Sequence, residues 1–351
     1  MTTAGPARLT VRRGPVALRL PVRPLVVGAA LLLIALVLGL VNLSSGDLPV
    51  PVPDVLRTLA GRGDAGTEFI VYTLRMPRVL VGLLAGAALG VSGAVFQTLT
   101  RNPLGSPDFV GLTIGAATGA ILAILVLGWR GLPVAGAAVT GCLITAVLIY
   151  LLAYRRGSTQ PFRLILMGIG VSALLEALNS YLVLRARLSD AQTAQVWQIG
   201  SVNGATATEV AMAGVPLLVM LPLVLWLGRN LSMMRLGDET AGLHGVPVER
   251  TRALLALASV VLAAGATAAC GPVAFVALAA PHLAARLSRG PGAGVLPAAA
   301  MGAVLMAASD WVAQRVLPEQ DVPVGVVTAA LGGAYLTWLL VREWRRGRMR
   351  G

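Results

Sequence analysis

Long apolar runs recurring through the whole chain, arginines gathered on alternate connections, and the absence of catalytic machinery predict an all-α, polytopic membrane protein with about ten transmembrane helices. The 351 residues are 56% hydrophobic and 12% charged, with a mean hydropathy of +0.80, well outside the range of a water-soluble domain. A helical span needs about 20 mostly apolar residues, and runs of that order account for most of the sequence. All 28 basic side chains are arginine. Without lysine there is neither a P-loop nor a Schiff-base nucleophile. His244 and His282 lie in different segments without zinc-type spacing, so no metal site is expected. Cys142 and Cys270 sit in apolar runs and should pack as small hydrophobes rather than form a disulfide. Gly168-Ile-Gly170-Val-Ser-Ala173 superficially matches a dinucleotide fingerprint, but it lies inside an apolar run with no strand before it and reads as helix packing. The chain is therefore not expected to be an enzyme.

Residues 1–23 carry five arginines among prolines and glycines and are expected to form a mobile cytoplasmic tail. The run from about Leu25 to Val41 is too long for a signal-peptide core and is taken as the first span. Residues 46–75 are polar and broken by prolines; within them Pro53 to Ala60 suits a short amphipathic helix on the far surface. The second run, ending near Phe96, holds Gly82, Gly86 and Gly90, and the third holds Gly111, Gly115 and Gly119. Small residues every four positions let helix backbones approach closely, and packing within the chain explains both series. Further runs cover about 132–153, 163–184 and 211–228, with a polar segment from Arg185 to Glu209 between the last two. Residues 253–285 carry no charge. As one helix they would extend about 50 Å against a hydrocarbon core of about 30 Å, so Cys270-Gly-Pro272 is expected to break them into two spans. Runs at about 294–309 and 324–341 complete the count, and a basic tail, 342–351, closes the chain.

Charge supports that count. With both termini cytoplasmic, 20 of the arginines fall on inside segments and 8 on outside ones, the sense required by the positive-inside rule. The net charge of +13 thereby fits membrane topology and anionic headgroups and not nucleic-acid binding. Glu176 is the only acid well inside a predicted span. It is a functional candidate by default, and with Asn179 and Ser180 it could equally serve an interhelical hydrogen bond. An ion-coupled carrier would show several such groups, so the driving energy is expected to come from another chain.

The most elaborate polar interruption is Met234 to Arg252, with the acids Asp238, Glu239 and Glu249, the arginines Arg235, Arg250 and Arg252, and His244. Asp238 suits an N-cap of a short helix ending near Leu243, Gly245 a stop, and Pro247 the first turn of a second short helix. A folded helix pair at a membrane face is a docking surface.

Several motifs carry a family resemblance. Arg75-Met-Pro-Arg78, Ser92-Gly-Ala-Val-Phe-Gln97, Arg101-Asn-Pro-Leu-Gly-Ser-Pro-Asp108, Leu236-Gly-Asp-Glu-Thr-Ala241 with Gly245-Val-Pro-Val-Glu-Arg-Thr-Arg252, Gly271-Pro-Val-Ala-Phe275, Ala280-Pro-His-Leu283 and Leu317 through Gly325 resemble the signatures of FecCD-type permeases of bacterial ABC importers, in colinear order over about residues 25–341. Ala277 and Ala279 stand where such permeases usually have glycine or valine, which touches local packing only. The resemblance implies a type II ABC importer permease fold: a ten-helix permease domain over 24–341 in the bacterial cytoplasmic membrane, in contact with membrane lipid. It implies a second permease subunit, a paralogue or a copy of itself, two cytoplasmic ATPase subunits that hydrolyse ATP, and an extracytoplasmic siderophore-binding protein. No cofactor binds the chain directly. Residues 234–252 become the coupling helices, with Leu236, Gly237, Asp238, Glu239, Ala241, Gly245, Val246, Glu249 and Arg250 at the ATPase. Arg57, Arg62 and Arg315 become the arginines that receive the binding protein. Residues 101–108, 162–170 and 200–204 are most similar to ferric-enterobactin permease subunits, favouring a ferric siderophore of the catecholate class as cargo. Cobalamin and haem importers share the fold, and an ion-coupled secondary carrier is the remaining alternative.

Overall fold

The computed structural model describes residues 8–13, 16–46, 48–108, 111–155, 158–159, 161–289, 294–316 and 322–348. An antiparallel pair, β1 (Arg8–Arg13) and β2 (Val16–Pro21), leads into α1 (Val22–Ser44). The segment expected as a tail is therefore partly paired; its alternation of apolar residues and arginines has the two-residue period that a strand uses. Then follow α2 (Val52–Leu59), α3 (Ala65–Glu68), a π-helical segment (Phe69–Arg75) and α4 (Met76–Thr100). The chain continues through α5 (Leu112–Leu125), α6 (Leu132–Ala153), the two-residue strands β3 (Tyr154–Arg155) and β4 (Ser158–Thr159), α7 (Pro161–Arg185), α8 (Leu188–Ile199), α9 (Ala207–Trp226), α10 (Gly228–Met234) and α11 (Asp238–Leu243). It ends with α12 (Val248–Cys270), α13 (Val276–Ser288), α14 (Val295–Val316) and α15 (Val324–Arg348).

Seven helical stretches among the described residues are long and apolar enough to cross a bilayer. The shorter apolar helices are α5 and the first part of α15, Val324–Leu339; with α13, 13 residues long and packed on α4 and α14, the described bundle helices come close to the expected ten. The fold class is all-α, with the two hairpins outside the bundle. Leucines such as Leu33 on α1, Leu174 on α7 and Leu218 on α9 face outward, as they must where the solvent is lipid. Both cysteines are free and buried.

Helix α4 is the axis. It is buried on nearly every side and packs on α9, α12, α13 and α14, which an all-round apolar helix requires. Its glycines set the distances: Gly86 and Gly90 lie against the Gly302 and Ala298 carbonyls of α14, and Gly93 against the Ala277 carbonyl of α13, with no room for a Cβ. Ser92 and Ser259 join α4 to α12 through a 2.8 Å hydroxyl contact, the polar glue expected between helices in lipid. The second series behaves alike, Gly115 facing Thr145 and Gly119 facing Ala137 on α6. Both small-residue faces serve packing within the chain.

Four local differences from the sequence reading have clear causes. The second span begins earlier than expected, because helix runs without interruption from Ala65 to Thr100. Pro77 cannot donate in the first turn of α4, and the preceding π-turn, closed by Met76 N–H to the Val71 carbonyl, takes up the register. The basic tail is helical through Arg348, since arginine is a good helix former and cations suit a C-terminus. Asp238 is the first residue of α11 and not its cap; Gly237, at φ 117°, holds the cap position. Pro247 precedes one uninterrupted span, α12, so no second short helix forms there.

The break at Cys270 is present. Gly271 has φ 72° and Phe275 φ 67°, and the chain between them is not helical. Non-helical backbone at membrane depth survives only where its polar groups find partners inside the protein. Here Ser201 N–H donates to the Cys270 carbonyl at 2.8 Å, and Gly325 N–H donates to the Gly200 carbonyl at 3.0 Å. The ends of α8 and α12 and the start of α15 thus meet. The stretch Leu317 to Asp321 lies outside the described residues.

Candidate functional sites at both ends and within the membrane

At one end, α10 and α11 cross the C-terminus of α4. The turn after α11 forms a Schellman motif: Val246 N–H to the Ala241 carbonyl at 3.1 Å, and Gly245 N–H to the Gly242 carbonyl at 2.9 Å, with Gly245 at φ 78°. Asp238 is the hub. It accepts from Arg101 Nη2 at 2.5 Å and from Arg252 Nη2 at 2.7 Å, while Arg252 also reaches Glu249 at 2.5 Å. Arg101 Nε donates to the Met234 carbonyl at 3.3 Å, and Arg235 Nη2 to Thr98 Oγ1 at 3.2 Å. Residues 234–252 are therefore strapped to α4 and to the root of α12.

The nine residues singled out in this segment divide by role. Ala241 is buried, and Gly237 and Gly245 supply positive-φ turns. Val246 closes the Schellman turn; Asp238 and Glu249 are engaged by arginines of this chain. Leu236, Glu239 and Arg250 face outward. Leu236 is 67% exposed and Leu243, not anticipated, 89%. Apolar side chains presented this fully beyond the bundle mark a contact surface. Arg101 and Arg252 were visible as motif arginines, but their joint partner was not, since Arg101 and Asp238 stand 137 positions apart.

The loop leading to α5 holds Asp108, both of whose carboxylate oxygens are buried without a hydrogen-bond partner. Desolvation pushes its carboxyl from the ordinary 3.8 up to about 7.

At the opposite end, Arg57 on α2 pairs with Asp54 at 3.2 Å and is exposed. Arg62 is exposed on the turn after α2. Arg315, at the end of α14, lies 4.1 Å over the Trp311 ring and donates to Ser45 Oγ at 2.9 Å. The structure brings all three to this end without placing them in contact with one another. Beneath them is an element the sequence reading did not foresee. α14 extends to Val316, so Asp310 lies within a span, 3% exposed. Arg78 holds it through two nitrogens at 2.7 and 3.1 Å, and Gln314 adds a bond at 2.9 Å. Glu176 is thus not the only acid inside a span, but Asp310 is neutralised by its partner.

Glu176 differs. It lines a cavity of about 390 Å³ with Asn179 and Ser180 of α7, Thr113 of α5, Gln198 of α8 and Pro272 in the broken segment. Asn179 Oδ1 is buried without a partner, and among the described residues Glu176 makes no ion pair. Among the described residues, the interhelical hydrogen bond that would have explained these groups is not formed. A polar recess bounded by a helix break and open at the exposed face of α7 can hold water or polar cargo.

Residues 31–342 match the FecCD transport family. Among curated relatives, the ferric enterobactin transport system permease protein FepG of Escherichia coli K12 is 43% identical over 92% of this chain and 98% of its own length. The iron(3+)-hydroxamate import system permease protein FhuG of Bacillus subtilis 168 is 34% identical over 91% and 98%. Among solved structures, an inward-facing metal-chelate type ABC transporter superposes with a TM-score of 0.81 at 27% identity, covering 91% of this chain and 99% of that one. The chain is a multi-pass membrane protein belonging to the FecCD transport family.

Proposed function

We propose that this chain is a permease subunit of a bacterial ABC importer that carries a ferric siderophore across the cytoplasmic membrane, both termini lying in the cytoplasm. The observation that carries the reading is the strapped helix α11 and the turn before it: they offer Leu243 and Leu236 outward while Asp238 ties the segment to α4, the axis of the bundle. A partner ATPase that pushes on those leucines would move α4 and α12 rather than a slack loop. The chain has no lysine with which to cradle nucleotide, so two ATPase subunits bind and hydrolyse ATP. A binding protein docks on the far side, with Arg57, Arg62 and Arg315 receiving its carboxylates. A second permease, a paralogue or a second copy, faces α7 and closes a path past Glu176 and Asn179. Cargo moves by alternating access, and no cofactor or nucleic acid takes part. Near full-length similarity to FepG favours a catecholate siderophore.

The test is reconstitution of the four-part machine in proteoliposomes. ATP-dependent uptake of labelled ferric enterobactin, exceeding that of a ferric hydroxamate, cobalamin or haem, is expected. Uptake by this chain alone under an ion gradient would instead identify a secondary carrier, and uptake of cobalamin or haem in preference to iron chelates would overturn the cargo assignment.

A further inference from the structure

Between α1 and α9 the bundle leaves an open groove of about 730 Å³, floored by α4 and α14. Its floor is low because those helices meet on glycine and alanine; Ala87 and Ala300 project little from it. Its walls are tall: Leu32 and Leu36 stand on α1, Leu221 and Leu225 on α9. Leu32 is 53% and Leu225 44% exposed, so the walls are not packed on each other. Along α1 the groove runs from Pro24 to Leu36 and along α4 from Leu80 to Ala94, about 18 and 21 Å at 1.5 Å per residue, somewhat more than the ~15 Å of one hydrocarbon leaflet. It opens at the end of the bundle nearest residues 234–252 and reaches past the middle to Leu80 on α4.

Polarity is confined to that end. Ser232 and Arg235 enter the lining where α10 crosses. Burial lowers the pKa of the Arg235 guanidinium, a desolvation that an adjacent anion offsets. The shape and charge suit the acyl chain and headgroup of one phospholipid: apolar along its length, then cationic at headgroup level where Arg235 enters. The groove also lies away from α7, which packs on α5, α6 and α8 and presents Glu176. An acid within a span marks a face withheld from lipid, so a second permease belongs there and not over the groove.

We propose that the groove binds one anionic phospholipid from the leaflet at the 234–252 end, an acyl chain between the leucine walls and the headgroup phosphate at Arg235. The site is separate from the cargo path and does not depend on which cargo is carried. Because Arg235 closes α10 and leads directly into α11, the headgroup would touch the strapped segment from its lipid side.

The test uses the full chain in nanodiscs of equimolar phosphatidylcholine and phosphatidylglycerol, released for native mass spectrometry. Wild type should retain one phospholipid, with phosphatidylglycerol enriched about tenfold over phosphatidylcholine, a difference of about 1.4 kcal/mol. Ala29→Phe, at an exposed groove position, and Ala87→Phe, on the floor, should each lose the adduct. Ala29→Phe guards against a folding defect in the floor variant, and thermal melting identifies either. Arg235→Gln should keep a lipid but bind the two headgroups equally. The proposal fails if wild type retains no lipid or shows no headgroup preference. It fails equally if the folded Ala29→Phe variant keeps the same adduct, or if the species lost on filling the groove is a second copy of the chain.

Discussion

Replacing Asp238 by alanine isolates the strap from the rest of the coupling surface. The Arg252–Asp238 bond joins an arginine that is only 13% exposed to a half-exposed carboxylate; a charge-assisted bond there contributes about 1–2 kcal/mol. The Arg101–Asp238 pair is about half exposed on both sides, so screening reduces it to about 0.5–1 kcal/mol. Together the strap favours the docked position of α11 by about 1.5–3 kcal/mol, and at 1.4 kcal/mol per decade its loss should lower coupled transport by roughly tenfold to a hundredfold. Global folding should persist, because the bundle core around α4 is untouched. The assay is ATP-driven uptake by the reconstituted complex, with hydrolysis followed in parallel. Asp238→Ala should hydrolyse ATP with little uptake, whereas Glu239→Ala, one residue on and outside the strap, should retain most of it. Uptake by Asp238→Ala within twofold of wild type would refute the reasoning. So would equal losses in the two variants, which would make α11 a simple charge contact.

Three further expectations concern other regions. For Asp108 the folded-state pKa lies above the unfolded value, so the folded state holds a proton that the unfolded chain has lost; stability falls as pH rises from about 4 through about 7. Asp108→Asn should therefore melt above wild type near pH 8 and level with it near pH 4, and a pH-independent difference would rule out the buried carboxyl as the cause. Reversing Arg57 and Arg315 together to glutamate should weaken capture of the binding protein by about tenfold or more with only a small fall in melting temperature, from the lost Arg315 contacts to Trp311 and Ser45, because the Arg57–Asp54 pair is exposed; unchanged affinity would remove these arginines from the docking surface. Glu176→Leu should cut uptake about tenfold, while Glu176→Gln, which keeps a polar wall, should retain more; equal effects would mean that only the charge matters there.

The sequence was most informative where one local property decides the outcome. Apolar runs and arginine placement disclosed the spans, the amphipathic helix at Val52–Leu59 and the break after Cys270, because hydropathy and backbone punctuation act within a few residues. It was least informative about long-range partners. Arg78 and Asp310 are 232 positions apart, and an acid at the edge of an apolar run looked like a loop residue until its arginine was found. Asp238 has the composition of an N-cap, yet two arginines from different helices claim its carboxylate, and Gly237 takes the turn instead. The cavity at Glu176 was half legible: the acid and Asn179 announced themselves, but Gln198 and Pro272 come from segments whose convergence only the fold reveals.

The convergence at Gly271 bears on how the protein is made. α13 has 13 residues, about 20 Å of helix at 1.5 Å per residue, against about 30 Å of hydrocarbon. It cannot settle across a bilayer by its own hydrophobicity when it leaves the ribosome. The junction at its head draws on Gly200, made earlier, and on Gly325, made later. The junction that seats the α12–α13 hairpin is therefore expected to close only after α15 has been synthesised. The last helix works as a latch on biogenesis, and a chain truncated before Val324 should be recognised by quality-control proteases even though most of its spans are already in place.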